Sequence, residues 1–327
     1  VRPKDAIPAA EGQPPVDRVA RKEVYKAPKR KREKTWPKAE EHASKEGTSQ
    51  VPYATETCPP HPGFLRGLCI RCGELSEGGA EQKKESISLR YLHSDLELDK
   101  EYAQNLKKQE AQRLVAQKKL SLVFDLDHTL LNSSRLLDIT GDDMPLLDAI
   151  LEKEEADAKE DKDSGGKPKS LFFLDFMQMW TKVRPGCRNL LVQASKYFDM
   201  HVYTMGERKY ALEMAKLIDP DGSLFGDHIV SKCDSTSSTV KDLDVLIGSE
   251  KSVLILDDSP RVWHKHRCNV MEMERYHFFP SSLKHFGIKG QCLLHRHKDE
   301  DPDCGPLSSV LKMLIDIHSE YFAHDDP

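Results

Sequence analysis

The run Ser121-Leu122-Val123-Phe124-Asp125-Leu126-Asp127-His128-Thr129-Leu130-Leu131 sets two carboxylates two residues apart at the end of an apolar, strand-like stretch. In extended backbone residues i and i+2 point to one side, so Asp125 and Asp127 can face a single crevice at the carboxyl end of a strand. There one carboxylate can attack phosphorus while its neighbour handles protons. An isolated Asp-x-Asp pair also serves as solvated turn residues or as loose calcium ligands. This pair follows Leu-Val-Phe rather than a glycine-rich calcium loop, and the further ligands of an EF-hand are missing.

Three later segments could complete such a site. His201-Val202-Tyr203-Thr204-Met205-Gly206 is a β-prone run ending in a hydroxyl and a glycine. Thr204 can donate to a phosphate oxygen, and Gly206 lets the chain turn closely beneath it before a helix. Lys241 lies near an expected helix start, where a lysine is ordinarily just a solvated charge. Val253-Leu254-Ile255-Leu256-Asp257-Asp258 is an apolar run that closes on paired acids. Runs without alternation suit strands buried on both faces of a parallel sheet, and adjacent acids at such a strand end repel unless a cation lies between them and Asp125.

The order Asp-x-Asp-x-Thr, Thr-x-Gly, Lys, Asp-Asp resembles the haloacid-dehalogenase-type phosphohydrolases. Four stretches narrow the resemblance to phosphatases of the RNA polymerase II C-terminal domain: Phe124 to Leu130, Val183-Arg184-Pro185-Gly186, Tyr203 to Ala211, and Leu256 to Trp263. Met179 to Gly186 and Tyr276-His277-Phe278-Phe279 point to the plant branch of that family, and the likeness covers about Leu120 to Phe322. It implies a Mg²⁺-dependent protein serine phosphatase that regulates transcription in the nucleus, its substrate the phosphorylated heptad-repeat tail. Asp125 matches the nucleophile that becomes an aspartyl-phosphate, and Asp127 the general acid and base. Thr204 and Lys241 match the phosphate holders, Asp258 the outer magnesium ligand beside Asp125 and the carbonyl of Asp127, and Asp257 the neighbouring acid. Arg208 is assigned to the phosphorylated peptide. Longer members continue into a phosphopeptide-binding BRCT domain after the catalytic part, so Pro327 reads as a cut end, and Val1 in place of Met reads as a processed or cut start. A small-molecule phosphatase of the same fold and a non-catalytic phosphoserine-binding scaffold for transcription factors stand as alternatives.

The elements that would position these residues alternate between strand and helix. Strands are expected near 121–124, 200–203, 229–231 and 253–256, with helices near 187–197, 207–218, 239–247 and 307–322. Right-handed crossovers then give an α/β/α three-layer sandwich around a parallel sheet. No large cap is foreseen, so the cleft should be open to a protein-borne phosphoserine.

The rest of the chain is read by composition. Of 327 residues 31% are charged and 38% hydrophobic, so the core is smaller than the chain. No window offers the roughly 18 apolar residues of a membrane span, and no signal-peptide apolar region opens the chain, which predicts a soluble, unsecreted protein without a membrane partner. Residues 1–50 form an expected disordered arm, basic beside a whole-chain charge of −5. Its densest cluster, residues 26–34, reads as a nuclear-localisation signal, a nucleic-acid contact or a solvated charge run. The resemblance favours import over direct nucleic-acid binding.

Residues 51–80 hold Cys58, His61, Cys69 and Cys72, the two-plus-two spacing of a Cys₃His Zn²⁺ knuckle; the alternative is reduced thiols in a turn-rich segment that docks on the catalytic domain. Residues 81–119 are expected as a helical connector. Residues 120–325 form the catalytic domain, interrupted over 138–169 by an acidic insertion with a short helix at 144–159.

Overall fold

The computed structural model describes residues 58, 60–76, 86–160 and 168–324. The basic arm expected over 1–50 and the tip of the acidic insertion at 161–167 lie outside the described residues. The first elements are β1 (Gly63–Leu65), β2 (Leu68–Cys69), β3 (Ser86–Ser88), β4 (Leu96–Asp99) and α1 (Lys100–Ala116). They are followed by β5 (Leu120–Phe124), β6 (Leu131–Arg135), α2 (Met144–Glu160), β7 (Leu171–Leu174), β8 (Met179–Val183), α3 (Cys187–Ala194), β9 (Phe198–Tyr203) and α4 (Arg208–Ile218). The last are β10 (Ile229–Val230), β11 (Val253–Asp257), β12 (Val270–Glu272), α5 (Pro280–His285) and α6 (Pro306–His324).

Every residue of β5 is buried, Ser121 included, as the apolar Leu120, Leu122, Val123 and Phe124 require of a central strand. It lies between β9 and β11 in a parallel sheet of order β10-β9-β5-β11-β12. Alternate residues of β5 serve opposite faces. Leu120, Leu122 and Phe124 join α3, α4 and α6 through Leu190, Met214 and Leu314. Val123 joins the opposite layer, where Leu89, Tyr91, Leu98 and Ala103 of the N-terminal segment pack with Tyr203 and Trp263. The expected three-layer α/β/α arrangement is thus present, with part of its second flanking layer supplied from before β5.

Three details differ from the sequence reading. The connector expected to be helical over 81–119 is described from Ser86, and among those residues it becomes helix only at Lys100. Asp99 caps it by accepting from the backbone N–H of Glu101 and Tyr102. Upstream, the alternation in Leu96-Glu97-Leu98 builds a strand that pairs with both β1 and β3. The helix expected over 239–247 is a single 3₁₀ turn at Leu243–Val245. There the Ser237 hydroxyl accepts from the N–H of Thr239 and Val240 and the Asp242 carboxylate from that of Asp244, so side chains take the donors that a helix would need. The acidic insertion of 138–169 carries α2 as expected, but its flanks were not foreseen: β6, β8 and β7 form an antiparallel sheet in that order. It packs with α2 on Tyr276, Phe278 and Phe279.

Candidate active site

Parallel pairing in register carries the chemistry to one place. Leu256 lies opposite Phe124, and Phe124 opposite Val202, so the residues that follow, Asp257, Asp125 and Thr204, emerge together at the carboxyl edge of the sheet. They line a cleft of about 480 Å³ with Asp127, Lys241, Asp258 and Arg275. No described residue from 131 to 183, the acidic insertion of 138–169 included, lines it, so among the described residues the cleft has no lid from that side. Asp125, Lys241, Asp257 and Asp258 are 7%, 2%, 1% and 8% exposed, which means that each charge must be answered by a neighbour.

Lys241 gives that answer. Its Nζ lies 2.6 Å from Asp125 Oδ1 and 2.6 Å from Asp257 Oδ2. Burial works against its charge, but the two carboxylates outweigh burial and hold the ammonium above the ordinary lysine value. Asp257 is saturated further by Trp263 Nε1 at 2.9 Å and by the N–H of Ser259 at 2.8 Å. It therefore anchors the lysine. Two of the three ammonium protons are used in this way, leaving one for a ligand in the cleft. Burial lifts Asp125 well above the usual carboxylate range; Lys241 opposes the rise, while Asp257 and Asp127 add to it.

Asp127 has a different surrounding. Its Oδ1 accepts from the Tyr210 hydroxyl at 2.5 Å. Burial raises its proton affinity, and the Tyr210 hydrogen bond, which favours the anion, only partly offsets this. Thr129, wholly buried, accepts through Oγ1 from the N–H of Asp258 at 3.1 Å, tying the Asp-x-Asp loop to the Asp-Asp loop. Thr204 Oγ1 accepts from the Gly206 N–H at 3.0 Å and so keeps its own proton to donate. A Cβ at Gly206 would stand 2.6 Å from Tyr210 Cδ1, so here the glycine supplies room rather than an unusual backbone angle.

Arg208 is the one assigned site residue that the structure turns away from the cleft. Its guanidinium donates to the carbonyl of Ile229, to Asp234 at 3.1 Å and to the carbonyl of Tyr91 at 3.3 Å. The arginine at the cleft is Arg275, whose Nε lies 2.5 Å from Asp258 Oδ2 and whose guanidinium lies over the Phe286 ring. Nothing local marks Arg275, because it follows β12 and meets Asp258 only through the fold. Tyr210 and Trp263 were also given no part by sequence, although Tyr210, a residue of α4, is placed near the strand edge by helical geometry alone.

For a cation, Asp125, Asp257 and Asp258 present oxygens within 4.8 Å of one another. The carboxyl of Asp127 faces Tyr210 instead, leaving its backbone carbonyl as its expected donor. Hard oxygen donors with more negative than positive charge among them fit Mg²⁺. The four residues Cys58, His61, Cys69 and Cys72 are likewise brought together, at a separate place on the N-terminal sheet.

An open cleft at the carboxyl edge of a parallel sheet, holding paired acids, a buried lysine and a threonine hydroxyl, fits a phosphatase. Residues 120–286 match the model of the NLI interacting factor-like phosphatases, and the chain belongs to that family. It is 41% identical over 269 residues to RNA polymerase II C-terminal domain phosphatase-like 4 of Arabidopsis thaliana, covering 81% of this chain and 58% of the relative. It is 42% identical to phosphatase-like 3 of the same plant, covering 66% of this chain and 17% of that one. A phosphatase of the RNA polymerase II C-terminal domain from Schizosaccharomyces pombe is 32% identical, with 65% and 29% covered. The chain thus spans well under two thirds of the length of these relatives. The solved structure of Fcp1, an essential RNA polymerase II CTD phosphatase, aligns with a TM-score of 0.48 at 24% identity over 68% of each chain.

Proposed function

We propose that this protein is a serine phosphatase of the RNA polymerase II C-terminal domain, acting in the nucleus through an aspartyl-phosphate on Asp125 and so regulating transcription. The observation that carries the reading is Lys241 held 2.6 Å from both Asp125 and Asp257 at the head of two parallel strands, with Asp127 beside them biased toward its protonated form. The names of the Arabidopsis and fission-yeast relatives support the choice of substrate.

In the first half-reaction a carboxylate oxygen of Asp125 attacks phosphorus as the serine oxygen departs. The third proton of Lys241 and the hydroxyl of Thr204 hold the phosphoryl oxygens, which places the ester in line with Asp125. A serine alkoxide is a poor leaving group, so Asp127 passes its proton to that oxygen as the bond breaks. Asp127, now a carboxylate, then takes a proton from the water that attacks the aspartyl-phosphate. Burial equips it for both steps, since it binds a proton readily and is restored to the protonated form at the end. Asp125 and Asp258, with the Asp127 carbonyl, would hold Mg²⁺. That ion supplies neutralisation of the phosphoryl charge, without which two anions would have to meet. Because no described residue of the insertion lines the cleft, a serine on a flexible peptide can reach it.

The test is phosphate release from heptad peptides phosphorylated at single serines, beside a panel of metabolite phosphates, with and without Mg²⁺. Release from the peptides, abolished by chelation and by Asp125→Asn, is the expected result. Preference for metabolites would make the protein a small-molecule phosphatase. Peptide binding without release from any substrate would make it a scaffold. Localisation is tested by fusing residues 1–50 to a reporter and observing whether it enters the nucleus.

A further inference from the structure

The N-terminal sheet, of order β2-β1-β4-β3, is made of strands only two to four residues long. A sheet this small buries little apolar surface of its own and needs a staple. At its outer end Cys58, His61, Cys69 and Cys72 offer donor atoms that all lie within 4.8 Å of one another. The Cys58 and Cys69 sulfurs are 3.9 Å apart, and the Cys72 sulfur is 3.5 Å from His61 Nδ1.

These separations are informative. With Zn–S bonds of about 2.3 Å and a Zn–N bond of about 2.05 Å, tetrahedral angles place two thiolates about 3.8 Å apart and a thiolate about 3.6 Å from an imidazole nitrogen. A disulfide would require about 2.05 Å, and all three thiols are free of one. The loop geometry is that of a metal knuckle: the Arg71 N–H points at the Cys69 sulfur at 3.4 Å, and the Gly73 N–H closes on the Cys69 carbonyl at 3.0 Å. The other ring nitrogen of His61 stands 3.7 Å from Glu74, the kind of carboxylate that orients a metal-binding imidazole.

We propose that Cys58, His61, Cys69 and Cys72 bind one structural Zn²⁺, which clips the β1–β2 hairpin and through it steadies the segment that carries Lys241. Four protein donors leave no open position, and three thiolates with an imidazole suit zinc over harder ions. From the clip the path is continuous. β1 pairs with β4 along its whole length, and the Asp99 N–H reaches the Pro62 carbonyl at 3.0 Å. Leu98 on β4 then packs in one cluster with Leu243, Val245 and Trp263, while Lys107 of α1 donates to the Asp244 carbonyl at 2.8 Å. The turn that follows Lys241 has little regular structure of its own; Val262 and His266 hold it on one side, through the N–H groups of Lys241 and Leu243, and this layer supports it on the other.

The experiment counts metal in the purified full chain by mass spectrometry after dialysis with a thiol reductant, and it needs no catalytic readout. About one zinc per chain is expected. In Cys69→Ser and Cys72→Ser the content should fall at least tenfold, and Co²⁺ substituted into the parent chain should give the sulfur-to-cobalt charge-transfer and tetrahedral d–d bands of a thiolate-rich site. Zinc removal should speed amide exchange at least tenfold over 62–70 and measurably over 243–246. A zinc-supplied parent chain without metal, zinc content unchanged by the serine variants, a cobalt spectrum without sulfur bands, or exchange unaltered by metal removal would each overturn the proposal. Because the parent chain itself is measured, a variant that fails to fold does not decide the matter.

Discussion

The cleft and the cysteine–histidine knuckle are both clusters of four polar side chains, yet they are built in opposite ways. Asp125, Lys241, Asp257 and Asp258 span more than a hundred positions, are almost wholly buried, and exist as a cluster only because parallel strands end at one edge. Cys58, His61, Cys69 and Cys72 lie within fifteen residues, are partly exposed, and are gathered by turns. The first cluster presupposes the fold and fills it with charges that must be matched one by one. The second precedes the core in the chain and helps a thin sheet to form. Damage should follow that division, with chemistry lost from the first and local order from the second.

The largest effect is expected from Asp125→Asn, which should leave kcat below about 10⁻⁴ of the parent while phosphopeptide binding persists, measured by single-turnover phosphate release and by calorimetry. Asp127→Asn should cost about 10²–10⁴-fold on a serine phosphate and much less on 4-nitrophenyl phosphate, whose leaving group needs no proton. Equal losses on both substrates would assign the acid elsewhere. Lys241→Met leaves Asp125 and Asp257 facing each other without their cation and should reduce stability by about 3–5 kcal/mol in urea unfolding. Gly63→Ala tests the other region: its Cβ would meet the Glu97 carbonyl at 2.6 Å, costing about 1–3 kcal/mol in the small sheet with kcat changed less than about threefold. A large fall in kcat here would erase the distinction between the two regions.

The smallest effect concerns pH. Turnover needs the proton on Asp127, so the rate should fall as pH rises past its elevated pKa. The Tyr210 hydrogen bond favours the anion, and Tyr210→Phe removes it. The pKa of Asp127 then rises, and the alkaline limb of kcat against pH should move to higher pH. A shift the other way would mean that Tyr210 stabilises the protonated acid.

Much of this architecture was legible because burial on both faces leaves an unmistakable record. Leu122-Val123-Phe124 of β5 and Val253-Leu254-Ile255-Leu256 of β11 are apolar runs without alternation, and the acids at their ends could be named from sequence. α6 fell where its periodicity put it. What could not be read has equally physical causes. β6, Leu131-Asn132-Ser133-Ser134-Arg135, looks like a polar loop because Ser133 and Ser134 meet the hydroxyls of Thr181 and Ser281 rather than apolar neighbours. The turn after Lys241 carries a helix-like pattern that its serines and Asp242 overrule. That Arg275 rather than Arg208 lines the cleft could not be read, because arginine reach is decided by tertiary neighbours and no spacing in the chain encodes it.

The crowding of Gly206 against Tyr210 has a consequence for variants sampled by chance. Any side chain at 206 must displace the ring whose hydroxyl tempers Asp127, so a substitution in this loop would surface as an altered pH profile besides whatever it does to the Thr204 hydroxyl, 3.3 Å from the added Cβ. A geneticist mapping such alleles would file them with acid–base lesions, although the altered residue carries no ionisable group and touches no proton.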